Sequence, residues 1–471
     1  MRQGGLARPI VVLVLVAAGS AAGAQSVGRP SDPRTFGPSD QGSLRVRAEA
    51  LPGAIDRAAP GDVIVVEGGR MVGPLVLHKT LTLRGRNNPT IDGRGRGTVV
   101  TLAAPGIVLS GFTVTASGDS LLEDDAGVLV TANGVTVEDT RIDDALHGIY
   151  VLRANGFRLL RNRIRGKAAL TDENRGNGIH LHVASDGVID GNDIAEVRDG
   201  VYFNYADRNL IARNRAARLR YGLHYMWSNF NRFVANEFTD SVGGAALMYS
   251  HGIVFEGNTF ARQRGFRAHG VLFKDVERCR ASGNRFLDNT EGITLDGAIR
   301  NEFTGNLLAG NDAAIVEYAN SEGNTFVRNA FVGNGTELRE IGQESASRWD
   351  DGRRGNYWSG YDGYDLDGDG VGDRPYRLQN LFEYLEGQRP VLRLLAYGPA
   401  SAAVRKAEDA FPVLRQRQTV DAHPLMRLPA DVGRLAGDPS QPTARRRPLA
   451  LASLLMLAGG LALMLAGRST G

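Results

Sequence analysis

From residue 139 to residue 329, short apolar alternations are interrupted at a near-constant interval by a turn that holds asparagine. The turn positions are Asp139, Asn162, Asn192, Asn214, Asn236, Asn258, Asn284, Asn306 and Asn329, with most gaps 22 or 23 residues and two of 30 and 26. The extra residues fall at 167–175 and 262–267 and predict loops bulging from one side of a repeating structure. Phe238, Phe260 and Phe286 each stand two positions after their turn asparagine. A unit this short cannot bury such a side chain alone, but units stacked on one another bury a continuous core. The pattern therefore predicts an all-β chain: a right-handed, single-stranded parallel β-helix in which asparagine and glycine at the corners supply left-handed bends. Propeller blades need about 40 residues and leucine-rich repeats need a Leu-x-x-Leu-x-Leu consensus, so both fit poorly.

A glycine marks a second strand in each unit: Gly148, Gly178, Gly200, Gly222, Gly244, Gly270 and Gly292. Side chains alternate across a strand, so residues one and three beyond the glycine share one face, and residues two and four the other. The first set, such as Ile179/Leu181, Val201/Phe203 and Leu223/Tyr225, is apolar and predicts the core side. The second set then faces outward and reads Tyr150/Leu152, His180/His182, Tyr202/Asn204, His224/Met226, Ala246/Met248, Leu272/Lys274 and Thr294/Asp296. Adjacent coils are about 4.8 Å apart, so Met226 and Met248 are expected side by side, with His224 next to Met226 on its own strand. His180 and His182 fall two coils away, roughly 10 Å along the axis. His251, three residues after Met248, is expected to fold over the group from the turn. Thioether with imidazole is the donor set a soft ion such as Cu(I) prefers, whereas Zn(II) more often takes thiolate or carboxylate. The opposing reading is core methionine and solvated histidine, and a one-residue slip of register would turn both methionines inward.

Upstream, residues 51–66 read as a short helix followed by a first strand. A helix there would cover the open end of the core, which would otherwise recruit another strand. With Leu81-Thr-Leu-Arg-Gly and Ile91-Asp-Gly, this stretch resembles the start of pectate-lyase-like β-helices of the carbohydrate-binding and sugar-hydrolase group, a likeness of fold over residues 46–345.

Three further segments carry a sharper resemblance: Gly222-Leu-His-Tyr-Met-Trp-Ser-Asn, Ala245-Ala-Leu-Met-Tyr-Ser-His, and Gly355-Asn-Tyr-Trp-Ser-Gly-Tyr-Asp-Gly-Tyr-Asp running on through Asp373-Arg-Pro-Tyr-Arg. From about residue 46 to 395 the chain resembles the NosD family of periplasmic nitrous oxide reductase maturation proteins. That resemblance implies a copper-handling accessory protein rather than an enzyme. It implies as partners an ABC-type ATPase and membrane permease, a periplasmic copper chaperone and nitrous oxide reductase, whose copper-sulfur centre is built.

Asp365, Asp367, Asp369 and Asp373, with Gly370 between, match the first half of a calcium loop, but the twelfth position is Tyr376 where an EF-hand needs glutamate. A non-EF calcium loop tying down a C-terminal cap and a solvated acidic turn both remain open. Tyr357, Trp358, Tyr361 and Tyr364 are expected to cover the last coil or meet a partner. A sugar-cleaving β-helix would need paired carboxylates, or a carboxylate beside Arg or Lys. Only Asp296 stands at an outward strand position, next to Lys274, which keeps a polysaccharide lyase or epimerase as the alternative from another class. His269-Gly270 faintly echoes a polygalacturonase motif without its acidic companions. A purely adhesive solenoid is the third reading. Cys279, equivalent to Asn209 and Asn231, is expected in the core.

Composition changes the picture mainly at the ends. Arg2 and Arg8 precede an apolar run and the small-residue stretch Ala22-Gly23-Ala24, a signal peptide over 1–24 that places the mature chain outside the cytoplasm. One cysteine excludes an internal disulfide. A net charge of +3 over 471 residues, with Arg and Asp interspersed, argues against nucleic acid. Residues 448–466 are apolar, flanked by arginines, and long enough for a C-terminal membrane anchor; a surface-lying tail is the alternative. The expected organisation is a linker at 25–45, the β-helix at 46–345, a cap with the acidic loop at 346–395, and an extension at 396–447 with a short helix at 401–417.

Overall fold

Each sequence unit folds into one coil of three short strands, and successive coils stack in parallel into sheets of 14, 12 and 13 strands. The computed structural model describes residues 43–342, 346–379, 381–382, 385, 389–395, 398–410 and 419–435. The expected signal peptide and the apolar segment 448–466 lie outside these residues. Of the helix expected at 401–417, the chain is helical over Pro399–Ala410, and 411–418 lie outside the described residues. Among the described residues, no helix is long and apolar enough to cross a membrane.

The spacing of 22 is kept at residue level. Asp199 pairs with Tyr221, Leu210 with Arg232 and Arg215 with Glu237, so one coil meets the next through all three sheets without slippage. Parallel pairing begins at Leu44–Val46 and continues through Ala346–Arg348 and Tyr357–Trp358. Inward residues make a dry interior in which Phe238, Phe260 and Phe286 stack with centroids 5.5 and 5.3 Å apart.

The asparagines do a different job from the one expected of them. The left-handed residue at this corner is the one before each asparagine, as at Arg213 (φ 53°), Ala235 (φ 53°) and Gly257 (φ 64°). That bend turns the asparagine side chain inward. Asn214 Nδ2 then donates to Ile189 O at 2.9 Å and to Asn236 Oδ1 at 3.0 Å, and Asn236 repeats both bonds on Ile211 O and Asn258. A buried amide is costly unless every donor and acceptor is used, and the ladder uses them all. Cys279 stands in the parallel ladder: Cys279 N–H donates to Asn301 Oδ1 at 2.9 Å, and its Sγ accepts from Ile253 N–H at 3.3 Å.

Both ends are covered. The helix Leu51–Arg57 buries Leu51, Ala54 and Ile55 against the first coil. Lys79 Nζ donates to the carbonyls of Ile55, Asp56 and Ala58, which complements the negative end of that helix. At the other end Trp358 stacks between Phe331 (4.2 Å) and Tyr376 (4.7 Å). The ladder's last member, Asn356, donates its N–H to Asp421 Oδ2 at 2.7 Å, and Trp358 Nε1 donates to the same oxygen at 2.9 Å. Tyr364, expected in the cap, is 49% exposed.

Candidate metal site on the outward face

The outward face is carried by seven parallel strands, β1 (His147–Leu152), β2 (Ile179–His182), β3 (Asp199–Asn204), β4 (Tyr221–Met226), β5 (Gly243–His251), β6 (His269–Glu277) and β7 (Glu291–Asp296). Leu223, Tyr225, Ala245 and Leu247 point inward and are fully buried. The alternate residues of β4 and β5 therefore point out: Met226 lies opposite Met248 and His224 opposite Ala246. One coil back, Tyr202 lies opposite His224 and Asn204 opposite Met226; a further coil back stand His180 and His182. Met226, Met248, His180, His182 and His224 are all half-buried. The pairing thus sets two thioether-bearing residues on adjacent strands with an imidazole-bearing residue on the adjoining row, and these are the donor types a soft ion takes.

Neighbouring side chains hold this set. Tyr202 Oη donates to Met226 Sδ at 3.9 Å. His224 Nδ1 lies 3.0 Å from Asp199 Oδ2, and Asp199 is fully buried. Arg220 grips the same carboxylate with Nε on Oδ1 at 2.9 Å and Nη2 on Oδ2 at 2.5 Å. Burial alone would raise the Asp199 carboxyl, but the hydrogen bonds from His224 and Arg220 hold it below the usual carboxylate range.

Upstream, His180 stacks on Tyr150 at 4.4 Å and touches Tyr202 and His147, and burial pushes its imidazole down to about 3. His147 is pushed down to about 4 by burial, then by Arg198. Asp124, His147 and His180 bring ligand-type atoms within 4.8 Å of one another. The chemistry of His147 does not fit a ligand, however. Its Nδ1 accepts the Asn177 N–H at 3.0 Å, so the neutral ring carries its proton on Nε2, which points that proton at Asp124 Oδ1, 3.7 Å away. His269 is the reverse case: Nδ1 lies 3.1 Å from Arg267 O, and Nε2 is buried without a hydrogen-bond partner.

Of the remaining expected residues, His251 sits beyond the corner made by Tyr249 (φ 53°), opposite Glu277, with its ring edge-on to Phe230 at 4.8 Å. Along that corner Tyr205, Trp227 and Tyr249 stack at 5.6 and 5.5 Å and are 54, 40 and 43% exposed. This open aromatic ladder borders the thioether row. In the acidic loop, Asp365, Asp367 and Asp369 converge within 4.8 Å, and Asp373 instead accepts Leu366 N–H at 2.7 Å. Asp365 also accepts the Gly368 and Gly370 amides.

The lyase pair is present but not poised. Lys274 donates to Asp296 at 2.8 Å and Asn320 donates to its other oxygen at 2.9 Å. The bond to Asp296 raises the Lys274 ammonium; burial would raise Asp296, yet Lys274 and Asn320 hold it low. Each group is locked in its charged form, the opposite of what proton abstraction near pH 7 requires. Burial pushes the Cys279 thiol up to about 12, which withholds the thiolate a metal would need.

Sequence reasoning placed Tyr202 on this face and missed Asp199, Arg220 and the buried His147 as neighbours of the site. The signal was present as the residue before each marker glycine, which reads His147, Asn177, Asp199, Tyr221, Gly243, His269 and Glu291.

Comparison with known proteins gives a family for the chain. A family model described as "Periplasmic copper-binding protein (NosD)" matches residues 160–363. Two relatives carry the name "Probable ABC transporter binding protein NosD". The one from Pseudomonas aeruginosa is 38% identical over 405 residues, covering 83% of this chain and 94% of its own length. The one from Stutzerimonas stutzeri is 34% identical over 390 residues, covering 80% and 89%. Among solved structures, the catalytic unit of a GH87 α-1,3-glucanase from Streptomyces thermodiastaticus matches with a TM-score of 0.51 at 14% identity, over 70% of this chain and 71% of that one. At that identity the likeness is one of coil architecture.

Proposed function

The chain belongs to the NosD family of periplasmic copper-binding proteins, and from that premise we propose that it carries Cu(I) on Met226, Met248 and His224. In this reading it receives the ion in the periplasm from a copper chaperone. It then presents the ion during assembly of the copper-sulfur centre of nitrous oxide reductase, together with an ABC-type ATPase and membrane permease. The observation that carries the reading is the pairing of Met226 with Met248 on adjacent strands, His224 one position away on the outward face. Two thioethers and one imidazole suit Cu(I), and half-exposure with few ligands suits an ion that must leave again. His180 and His182, two coils upstream, are the second stop for the ion. The exposed ladder of Tyr205, Trp227 and Tyr249 beside the thioethers has the aromatic composition of protein-binding hot spots. Chaperone and reductase would meet the site there.

The test is a Cu(I) titration of the mature chain against a competing chelator. Met226→Ala/Met248→Ala is expected to weaken binding about 100-fold, equivalent to roughly 2.7 kcal/mol. Unchanged affinity in that double variant would remove these residues from the ligand set.

A further inference from the structure

We propose that Asp199 is a positioning residue for His224, holding the imidazole with its proton on Nδ1 so that Nε2 is bare for the metal. The inference rests on His224 being a ligand. Asp199 Oδ2 stands 3.0 Å from His224 Nδ1. Arg220 Nη2, whose other proton goes to Asp199, also comes within 3.2 Å of that nitrogen, but an unprotonated Nδ1 would face the carboxylate lone pair to lone pair at 3.0 Å. The proton of this contact therefore belongs to Nδ1, and the carboxylate accepts it. Nε2 is left as a lone pair, and a carboxylate on Nδ1–H makes that lone pair the stronger donor. The coordinate bond then forms with no proton to displace.

The coil fold does not call for this carboxylate. The equivalent places in the next two coils are Tyr221 and Gly243, and the repeat closes around them without an acid. A fully buried ionised group is costly unless it is paired and hydrogen-bonded. Arg220 compensates the charge, and the remaining bond goes to the imidazole.

His147 supplies the internal control. It lies on the same face, also buried, but its Nδ1 takes the backbone N–H of Asn177, which forces the proton to Nε2 and leaves no lone pair facing Asp124. Proximity to an acid is shared by both residues. The partner of Nδ1 decides which of them can bind a metal.

The experiment is long-range ¹H–¹⁵N NMR of the copper-free mature chain together with Cu(I) competition titrations. The spectrum should show His224 protonated on Nδ1 and His147 on Nε2. Asp199→Ala should lower Cu(I) affinity about 10- to 100-fold, as much as His224→Ala, with no further loss in the double variant. Asp199→Asn, whose amide oxygen still accepts from Nδ1–H, should recover most of the affinity. Should the unpaired Arg220 unfold Asp199→Ala, Asp199→Ala/Arg220→Ala removes both charges and is held to the same outcomes. Wild-type affinity in Asp199→Ala or in Asp199→Ala/Arg220→Ala, where His224→Ala weakens binding, overturns the positioning role alone. Wild-type affinity in His224→Ala overturns the ligand reading and the positioning role with it.

Discussion

The asparagine corner and the outward strip of β1–β7 belong to the same coils, yet one repeats and the other does not. From Asn192 to Asn356 the corner keeps one residue type, none of them more than 1% exposed. In mid-ladder every amide group has a partner in the coil before or after. Equivalent places along the strip read Tyr150, His180, Tyr202, His224, Ala246, Leu272 and Thr294. This strip also holds polar atoms with no hydrogen-bond partner, among them His147 Nε2, Asn177 Oδ1, Asn204 Oδ1 and His269 Nε2. Identical neighbours are what let buried amides satisfy one another, so repetition is the signature of stabilisation here. The strip abandons repetition and with it mutual satisfaction.

Asn236→Ala should do the most damage, because it takes the acceptor from the Asn214 N–H and from one of the two Nδ2 protons of Asn214, and the side-chain donor from the Ile211 carbonyl. Unfolding in urea should show a loss of about 4 kcal/mol, with the Cu(I) affinity of the folded protein unchanged. A loss under about 1 kcal/mol would erase the distinction between corner and strip.

Acid should act on the strip and not on the corner. The unfolded chain takes up protons on His147 and His180 near pH 6.5, while burial lowers them to about 4 and about 3 in the folded chain. The stability they contribute is complete above pH 6.5 and is lost as pH falls from there toward 4. His147→Gln should therefore remove about 3 kcal/mol of the decline by pH 4, read from urea midpoints across that range. An unchanged slope would mean that His147 is not held neutral by burial.

The smallest effect separates the two readings of the acidic loop, a calcium site of the cap and a solvated turn, and is stated for the first. Millimolar Ca²⁺ should raise Tm by about 2 °C without altering Cu(I) affinity, and Asp367→Asn/Asp369→Asn should abolish the rise. No shift in the unaltered protein would take calcium out of the account.

The coil register was legible in the sequence because the 22-residue step survives wherever loops do not intervene. That is why Met226 could be set against Met248 and Lys274 against Asp296, as the strands pair. The part that stayed hidden lies one residue before the marker glycines. Strict alternation puts Asp199 on the core side with Val201. In the fold, Gly200 presents its missing side chain to the core, where a Cβ would meet Gly222 O at 2.4 Å and Ala216 Cβ at 3.0 Å. Two successive positions thus face inward, and Asp199 is returned to the side of His224. The left-handed bend before each asparagine was legible where Gly191, Gly257, Gly283 and Gly305 carry it, and hidden at Arg213 and Ala235.

The central claim is that coil stacking turns Met226, Met248 and His224 into one Cu(I) site, and X-ray absorption at the copper edge of the loaded mature chain tests it most directly. The account predicts a three-coordinate shell of two thioether sulfurs and one imidazole nitrogen, with the sulfur contribution lost in Met226→Ala/Met248→Ala. A shell of nitrogen and oxygen alone, or a sulfur shell that persists in the double variant, would contradict it.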